Sequence, residues 1–509
     1  MAVYWIALPA PFLFDDQNSI LNNTSIRDMA TALSPPRDTP VAGRPLVNLT
    51  LAINYAADGL DVSGYRAVNL AIHLLAALTL LGIVRRTLML PRVAERFGGE
   101  ATKVAFVCAL IWMLHPLQTE SVNYLSQRTE ALMGLCYLQT LYWSIRGRPI
   151  AAVLWCAAGM ASKESMVTAP LIVVLYDRVF LYDSLKDAFR ARRGLYAGLA
   201  ATWLILAALM ATIPRTSAGF GSGTSPWLYF LNQCELIVRY LWLSIWPRAL
   251  VLDYGLPRTL APSEVLPEAT LLVALGILVL WALARRPMLG FLGAWFFITL
   301  GPTSSFVPIA TEVGAERRMY LPLAGLVVLA VIGVAFGLKR KKEATAILAI
   351  AVCVLLGIGT VLRNREYESR LSIAQTVVDR WPSGRGRFLL GAELILANRR
   401  SEAMVQLRES ARDYPGARYA MAVELMVDGK FAEAGAELET FLQAMPDNPT
   451  AVPARDLFGR ALLAQGRINE GVEQLQRVLR EHPDYVQREE VRMLIEQARG
   501  ARAFPRVSP

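Results

Sequence analysis

The stretch Tyr65–Val84 reads YRAVNLAIHLLAALTLLGIV and runs directly into Arg85-Arg86. A predominantly apolar run of about 20 residues is long enough to cross a bilayer as a helix. The basic pair that ends it marks the cytoplasmic side, because short cytoplasmic loops concentrate Lys and Arg. The same pattern recurs outward from this stretch. Thr102–Leu114 ends at His115-Pro116, Glu130–Ile145 at Arg146-Gly147-Arg148, and Ile150–Ala161 at Ser162-Lys163-Glu164-Ser165. Met166–Leu181 precedes the basic run Lys186, Arg190, Arg192 and Arg193. Leu195–Ile213, Ala269–Ala284, Leu289–Thr303, Tyr320–Leu338 and Ala344–Leu362 follow. Val3–Phe14 reads as a short first span.

Composition agrees. Of 509 residues, 54% are hydrophobic and only 18% charged, too apolar for a soluble chain of this length. The formal net charge of +10 fits basic cytoplasmic loops rather than nucleic-acid binding. Five cysteines lie in apolar segments without paired spacing, so neither a disulfide framework nor a zinc site is expected. Met1-Ala2-Val3 offers no basic n-region, and no cleaved secretory signal is expected.

Orientation follows from the basic loops. Arg85-Arg86, Arg146 with Arg148, Lys186 to Arg193, Arg285-Arg286 and Lys339-Arg340-Lys341-Lys342 belong in the cytoplasm. The spans then alternate if Leu228–Trp246, which mixes Asn232, Gln233, Glu235 and Arg239 with aromatics, lies in the interface instead of crossing. The count is about eleven spans, with Asp15-Asp16 and the C-terminal region outside.

This topology gathers four polar clusters on the outer side: Asp15-Asp16, His115 to Glu120, Ser162 to Ser165, and Glu312 to Tyr320. Charges at a membrane boundary are costly and mark functional sites. An acid pair there can act as a general base or hold a divalent cation. Adjacent residues point in different directions, so one carboxylate faces the chemistry and the other supports it; Asp16 is the expected base and Asp15 the support. A divalent cation, Mg or Mn, is left open, with Asp15 and Asp16 as its ligands. His115 could bind a phosphate or cap a helix, and Arg128 and Glu130 follow it closely. Lys163 could hold a phosphate or pair with Glu164. Arg317 and Arg318 break the charge rule by lying outside, which suits an anionic ligand, since guanidinium forks match phosphate oxygens. The structural competitor is a pair of either arginine with Glu316. His73, mid-span, reads as a packed or hydrogen-bonded residue.

After Arg363 the chain becomes charged, with helical patterning and many Ala, Leu, Glu and Arg residues. Asn398-Arg399-Arg400-Ser401-Glu402-Ala403, Gly429-Lys430-Phe431-Ala432-Glu433-Ala434 and Gly466-Arg467-Ile468-Asn469-Glu470-Gly471 repeat at about 34 residues, the period of a tetratricopeptide repeat. Stacked helix pairs of this kind form a concave surface suited to a peptide or protein. The expected fold is all-α: a polytopic membrane bundle over 1–362, a linker helix over 363–384 and an α-solenoid over 385–509.

Phe12-Leu13-Phe14-Asp15-Asp16 with Ile20-Leu21-Asn22-Asn23 resembles the opening of the membrane O-mannosyltransferases that carry tetratricopeptide repeats, which belong to the GT-C glycosyltransferases. His115-Pro116 with Thr119-Glu120-Ser121-Val122, Ser162-Lys163-Glu164, Arg239-Tyr240-Leu241 with Asp253-Tyr254, and Glu316-Arg317-Arg318-Met319-Tyr320-Leu321-Pro322 resemble that family's later motifs in order. The resemblance implies an inverting transfer of a sugar from a polyprenyl-phosphate or pyrophosphate donor to Ser or Thr of an extracytoplasmic protein. It implies Asp16 and Asp15 as catalytic. With the polar loops read above, the expected donor and substrate set is Arg44, His115, Glu120, Arg128, Lys163, Glu164, Glu316, Arg317, Arg318 and Tyr320. The expected setting is a bacterial inner membrane with the active face and repeats in the periplasm, the acceptor protein held by the repeats. Transfer to a lipid or glycan is the alternative within enzymes. A non-catalytic scaffold presenting the repeats is the alternative outside them. A transporter fits less well, because few charges lie mid-span.

Overall fold

The computed structural model describes residues 2–37, 39–212, 218–221, 223–337 and 342–503. Helices dominate, and an isolated bridge joins Ala218 to Ile309. The chain divides into two compact units, Met1–Ile373 and Ala374–Pro509.

In the first unit, α1 is Pro45–Asp58, α2 Val62–Leu88, α3 Pro91–Phe97, α4 Ala101–Leu114, α5 Thr119–Asn123, α6 Arg128–Ile145, α7 Pro149–Met160, α8 Ala169–Tyr176 and α9 Leu185–Thr212. They are followed by α10 Pro226–Ile245, α11 Leu266–Arg285, α12 Pro287–Leu300, α13 Pro322–Gly337 and α14 Lys342–Glu366. Local sequence explains the ends. The Asp61 side chain caps α2 by accepting from the Ser63 amide, and Arg85-Arg86 occupy its last turn, where cations oppose the helix dipole. α4 stops at His115 because Pro116 cannot continue it, and the chain bends by 57° into the segment Pro116–Asn123.

This is a multi-pass membrane protein. Val62–Leu88, Leu185–Thr212, Pro262–Arg285 and Glu343–Glu366 are long and apolar enough to cross a bilayer. Only 6% of the apolar window of Pro262–Arg285 is buried in protein. Its exposed Leu271, Val273, Ile277, Leu280 and Trp281 therefore need lipid. The bent pair Gly98–Leu114 and Pro116–Asn123 adds a fifth span if it counts as one, and α7, α12 and α13 are shorter apolar helices. These are fewer full-length spans than the expected eleven, because several expected spans are half-length. Met166–Leu181, for example, is a 3-10 turn, the eight-residue α8 and a π-turn. α10 is not among the crossing helices: Asn232 and Gln233 are buried, and Glu235 pairs with Arg258. Val3–Phe14 is a 3-10 helix, Ala2–Ala7, followed by irregular chain; Pro9 and Pro11 prevent an α-helix there. Of the basic run after α13, Lys339, Arg340 and Lys341 lie outside the described residues. α14 continues to Glu366, past the expected boundary at 362.

The boundary between the units falls within α15, Arg370–Arg380. The second unit is a solenoid of helical hairpins: α16 Gly384–Leu396 with α17 Arg400–Ser410, α18 Gly416–Val427 with α19 Phe431–Ala444, α20 Ala451–Ala464 with α21 Ile468–Glu481, then α22 Arg488–Ala503. Each hairpin turns through one left-handed residue at the same repeat position: Asn398 (φ 58°), Gly429 (φ 72°) and Gly466 (φ 78°). Asn is the substitute that tolerates this conformation.

Candidate functional site

The loop holding Asp15 and Asp16 is fastened at several points. Phe14 turns the chain at φ 23°, an uncommon value for a residue with a Cβ. Asp16 then folds back: its Oδ2 accepts from the Leu13 amide at 2.9 Å and its Oδ1 from the Ser126 amide at 2.7 Å. Asp16 is fully buried, and Asp15 beside it is exposed. The Asp15 amide donates to the Tyr124 hydroxyl at 3.0 Å. Burial pushes the Asp16 carboxyl up to about 7, against the lowering effect of the two amides and of Arg66. Arg66, in the first turns of α2, donates to the carbonyls of Leu8, Ala10, Pro11 (2.7 Å) and Asn123 (3.2 Å). One guanidinium thus ties the approach to Asp15 onto the 115–126 segment.

That segment carries the next cluster. The Glu120 carboxylate accepts from the Arg317 amide at 2.8 Å and from its guanidinium. Arg317 also pairs with Glu312 at 2.5 Å. Lys163 pairs with Glu130, and Arg44 with Glu164 at 3.3 Å. Lys163 also lies within electrostatic reach of Arg44 and Arg317. Of the four polar clusters expected on one side, the second and fourth are therefore joined directly, through Glu120 and Arg317. Asp16 of the first reaches Ser126, and Lys163 of the third reaches Glu130, both on the chain just beyond the second.

Several expected ligands are committed to architecture instead. Arg128 donates to Asn69 Oδ1 at 2.6 Å and to the carbonyls of Thr50 and Tyr65. Arg318 donates to the Tyr229 hydroxyl and to the carbonyls of Thr303, Val313 and Glu312. His115 uses both ring nitrogens, Nδ1 accepting from the Leu117 amide and Nε2 donating to the Ser244 carbonyl. Tyr320 is core: its hydroxyl bonds His73 Nδ1 at 3.0 Å, within a cluster that includes Trp112. His73 is the hydrogen-bonded residue its position suggested. Neither expected pair explains Glu316, which accepts from the Val251 amide at 2.5 Å and from the Tyr254 hydroxyl at 3.1 Å. Burial lifts its carboxyl to about 7. Lys163 and Glu164, neighbours in sequence, each take a partner from elsewhere in the chain.

A cation between Asp15 and Asp16 does not fit. One carboxylate is exposed and the other is buried on backbone amides, and among the described residues no group of three or more His, Cys, Asp or Glu converges. Arg66 was missed from sequence, although a charge inside an otherwise apolar stretch is a signal in itself. Tyr124 and Ser126 carry no such signal, because they act through position.

The tetratricopeptide repeat family matches residues 425–498. Protein O-mannosyl-transferase Tmtc1 of Drosophila melanogaster is 27% identical over 296 residues, covering 50% of this chain and 33% of that protein. Protein O-mannosyl-transferase F38B6.6 of Caenorhabditis elegans is 22% identical over 407 residues, covering 73% of this chain and 55% of that protein. The chain is similar to protein O-mannosyl-transferases and carries tetratricopeptide repeats. It spans about a third of the length of Tmtc1 and just over half that of F38B6.6. The crystal structure of ArnT from Cupriavidus metallidurans bound to undecaprenyl phosphate aligns over 93% of this chain and 78% of that one, at 13% identity and a TM-score of 0.40.

Proposed function

We propose that this chain is an integral-membrane, GT-C-type glycosyltransferase. It moves a sugar from a polyprenyl-phosphate or pyrophosphate donor to Ser or Thr of an extracytoplasmic protein, with inversion. The observation that carries the reading is an exposed carboxylate, Asp15, whose backbone amide is held by Tyr124, in a lipid-embedded bundle that also buries a network of acids and cations. The likeness to protein O-mannosyl-transferases supports the sugar and the acceptor class.

Within the acid pair, exposure supports Asp15 as the base, where sequence reasoning favoured Asp16. A base must reach the proton that it removes. Asp16, with both oxygens on backbone amides, suits holding the loop. In the step, the acceptor hydroxyl oxygen bonds to the anomeric carbon as the bond from that carbon to the donor phosphate oxygen breaks. The hydroxyl proton passes to Asp15, and the electron pair leaves on the phosphate. Nearby cations stabilise that charge as it develops. The site and repeats face the periplasm of a bacterial inner membrane, and the repeats hold the acceptor.

The test is transfer by the purified full-length chain in detergent, from polyprenyl-phosphate-linked mannose to a Ser/Thr-rich peptide. Label on the peptide that disappears in Asp15→Asn supports the proposal. Label appearing only on lipid or glycan acceptors favours the alternative within enzymes. No turnover with any acceptor favours the scaffold.

A further inference from the structure

At the end of the bundle opposite Asp15, the Arg285-Arg286 pair has no part in the proposed transfer. Arg66, near the start of α2, meets the Asp15 loop, whereas Thr87, in the last turn of the same helix, lies about 30 Å away along its axis. A cavity of about 830 Å³ opens beside Thr87. α12 lines it from Pro287 to Trp295 and α13 from Ala324 to Phe336, roughly 12 Å and 18 Å of helix. Its wall is apolar and aromatic: Tyr176 packs on Phe180, both meet Phe291, and Phe291 meets Trp295 in turn. Leu289, Leu329 and Phe336 of that wall are exposed, so the cavity is open to surrounding lipid.

The charged residues of the lining gather at the basic end, where three arginines, Arg92, Arg285 and Arg286, outnumber one acid, Glu95, among the described residues. Other cations at this end are spent on the protein. Arg192 donates to Asp177 and to the Ser144 carbonyl, and Arg86 and Arg146 lie over the Tyr142 and Trp143 rings. Arg285 and Arg286 are exposed, and their guanidinium groups have no partner among the described residues. Arg92 pairs with Asp183, but that carboxylate is 90% exposed, so the pair is screened and readily exchanged. The positive-inside rule accounts for arginines at this end of the bundle, but not for their standing at the mouth of an apolar cavity. Cations over an apolar well match a molecule with a phosphate at one end and hydrocarbon at the other.

We propose that this cavity binds an anionic glycerophospholipid from the leaflet at the basic end, with its phosphate on Arg285 and Arg286 and its acyl chains against Phe180, Phe291 and Trp295. By the charge rule that leaflet is the cytoplasmic one, whose anionic headgroups collect at basic pockets between helices. Arg92 adds a third cation to the headgroup once Asp183 is exchanged. The site stands apart from the glycosyltransferase reading, because a phosphate about 30 Å from the Asp15 end of α2 is not the reacting one. A lipid held there fills the space between α2, α12 and α13 and ties those helices together at the end away from the chemistry.

The test is native mass spectrometry of the detergent-purified full chain titrated with dioleoyl phosphatidylglycerol, dioleoyl phosphatidylcholine and citronellyl phosphate. The site predicts that phosphatidylglycerol binds at least about tenfold more tightly than phosphatidylcholine, the difference of one charged hydrogen bond. Arg285→Gln combined with Arg286→Gln should remove that preference. Both residues are exposed, so the variant should fold like the parent. Arg190→Gln combined with Arg193→Gln, exposed cations at the same end outside the cavity, should keep the preference. Ile332→Trp, which fills the cavity from α13, should weaken both phospholipids. Equal binding of the two phospholipids, an unchanged preference in the Arg285 and Arg286 variant, or an equal loss in the Arg190 and Arg193 variant overturns the proposal. Citronellyl phosphate binding more tightly than phosphatidylglycerol, with the same dependence on Arg285 and Arg286, also overturns it, in favour of a lipid-linked phosphate. Sugar transfer that persists in the Arg285 and Arg286 variant leaves the glycosyltransferase reading intact whichever way the lipid titration falls.

Discussion

The buried ion pairs of the membrane unit and the intrahelical pairs on the surface of the repeat unit share residue types and differ in burial and in reach along the chain. Glu120 with Arg317 and Lys163 with Glu130 are almost wholly buried, are joined to further acids and bases, and link segments far apart in sequence. Arg399 with Glu402, Arg467 with Glu470 and Arg477 with Glu481 lie three or four residues apart on one helix, about half exposed. Removing one partner of a buried pair leaves an uncompensated charge, whereas an exposed pair is screened and replaced by water. The contrast separates charges that build a site from charges that keep a solenoid soluble.

The largest effect should come from the buried side. Arg317→Ala strands Glu120, while Glu312 keeps Arg318 at 3.7 Å, and should cost about 3–5 kcal/mol, read as a lowered thermal midpoint in detergent. Arg317→Ala combined with Glu120→Gln should recover part of the loss; no recovery would mean that the two do not act as a pair. In the repeats, close approaches between helices are vulnerable points as well. A Cβ on Gly459 would lie 2.7 Å from Leu475 Cγ, so Gly459→Ala should cost about 1–3 kcal/mol. Asn398→Ala should cost about 1–2 kcal/mol through its left-handed backbone, and Asn398→Gly far less, both read by thermal melting of the full chain. At the small end, Arg399→Gln should leave the melting curve unchanged, and a clear drop would erase the distinction between the two kinds of pair.

The same contrast predicts a pH dependence confined to the buried site. Asp16 and Glu316 both titrate near 7 when folded, above their unfolded values of 3.8 and 4.5. The stability that each contributes is complete below its unfolded value and is lost as pH rises through about 7. The thermal midpoint should therefore fall between about pH 4 and 7 and level off above, and Asp16→Asn should flatten part of that slope.

The fold was largely legible because its signals are periodic. Apolar runs ended by Arg-Arg, and a repeat with Gly or Asn four residues before Glu and then Ala or Gly, report on backbone and solvent directly. The span count was less legible, because half-length helices such as α7 and α8 are as apolar as full spans and differ only in how their ends are folded. In the candidate site, sequence picked out the polar clusters but not the partners that each side chain takes. Arg128, Arg318 and Arg317 are the same residue type at the same membrane boundary. What distinguishes them is whether carbonyls or carboxylates surround the guanidinium, a fact of tertiary packing. Asp15 and Asp16 differ in the same way: adjacency fixes that they point apart, and only the Ser126 amide decides which one is buried.

The most direct test of that division is to measure the transfer rate constant and thermal midpoint of Asp15→Asn and Asp16→Asn beside the parent chain. The account predicts that Asp15→Asn loses at least about a hundredfold in kcat, the low end for a general base, with an unchanged midpoint. It predicts that Asp16→Asn loses about 1–3 kcal/mol of stability, because an amide cannot accept from both backbone groups, while keeping measurable turnover. A normal kcat in Asp15→Asn, with turnover abolished in a stable Asp16→Asn protein, would contradict it.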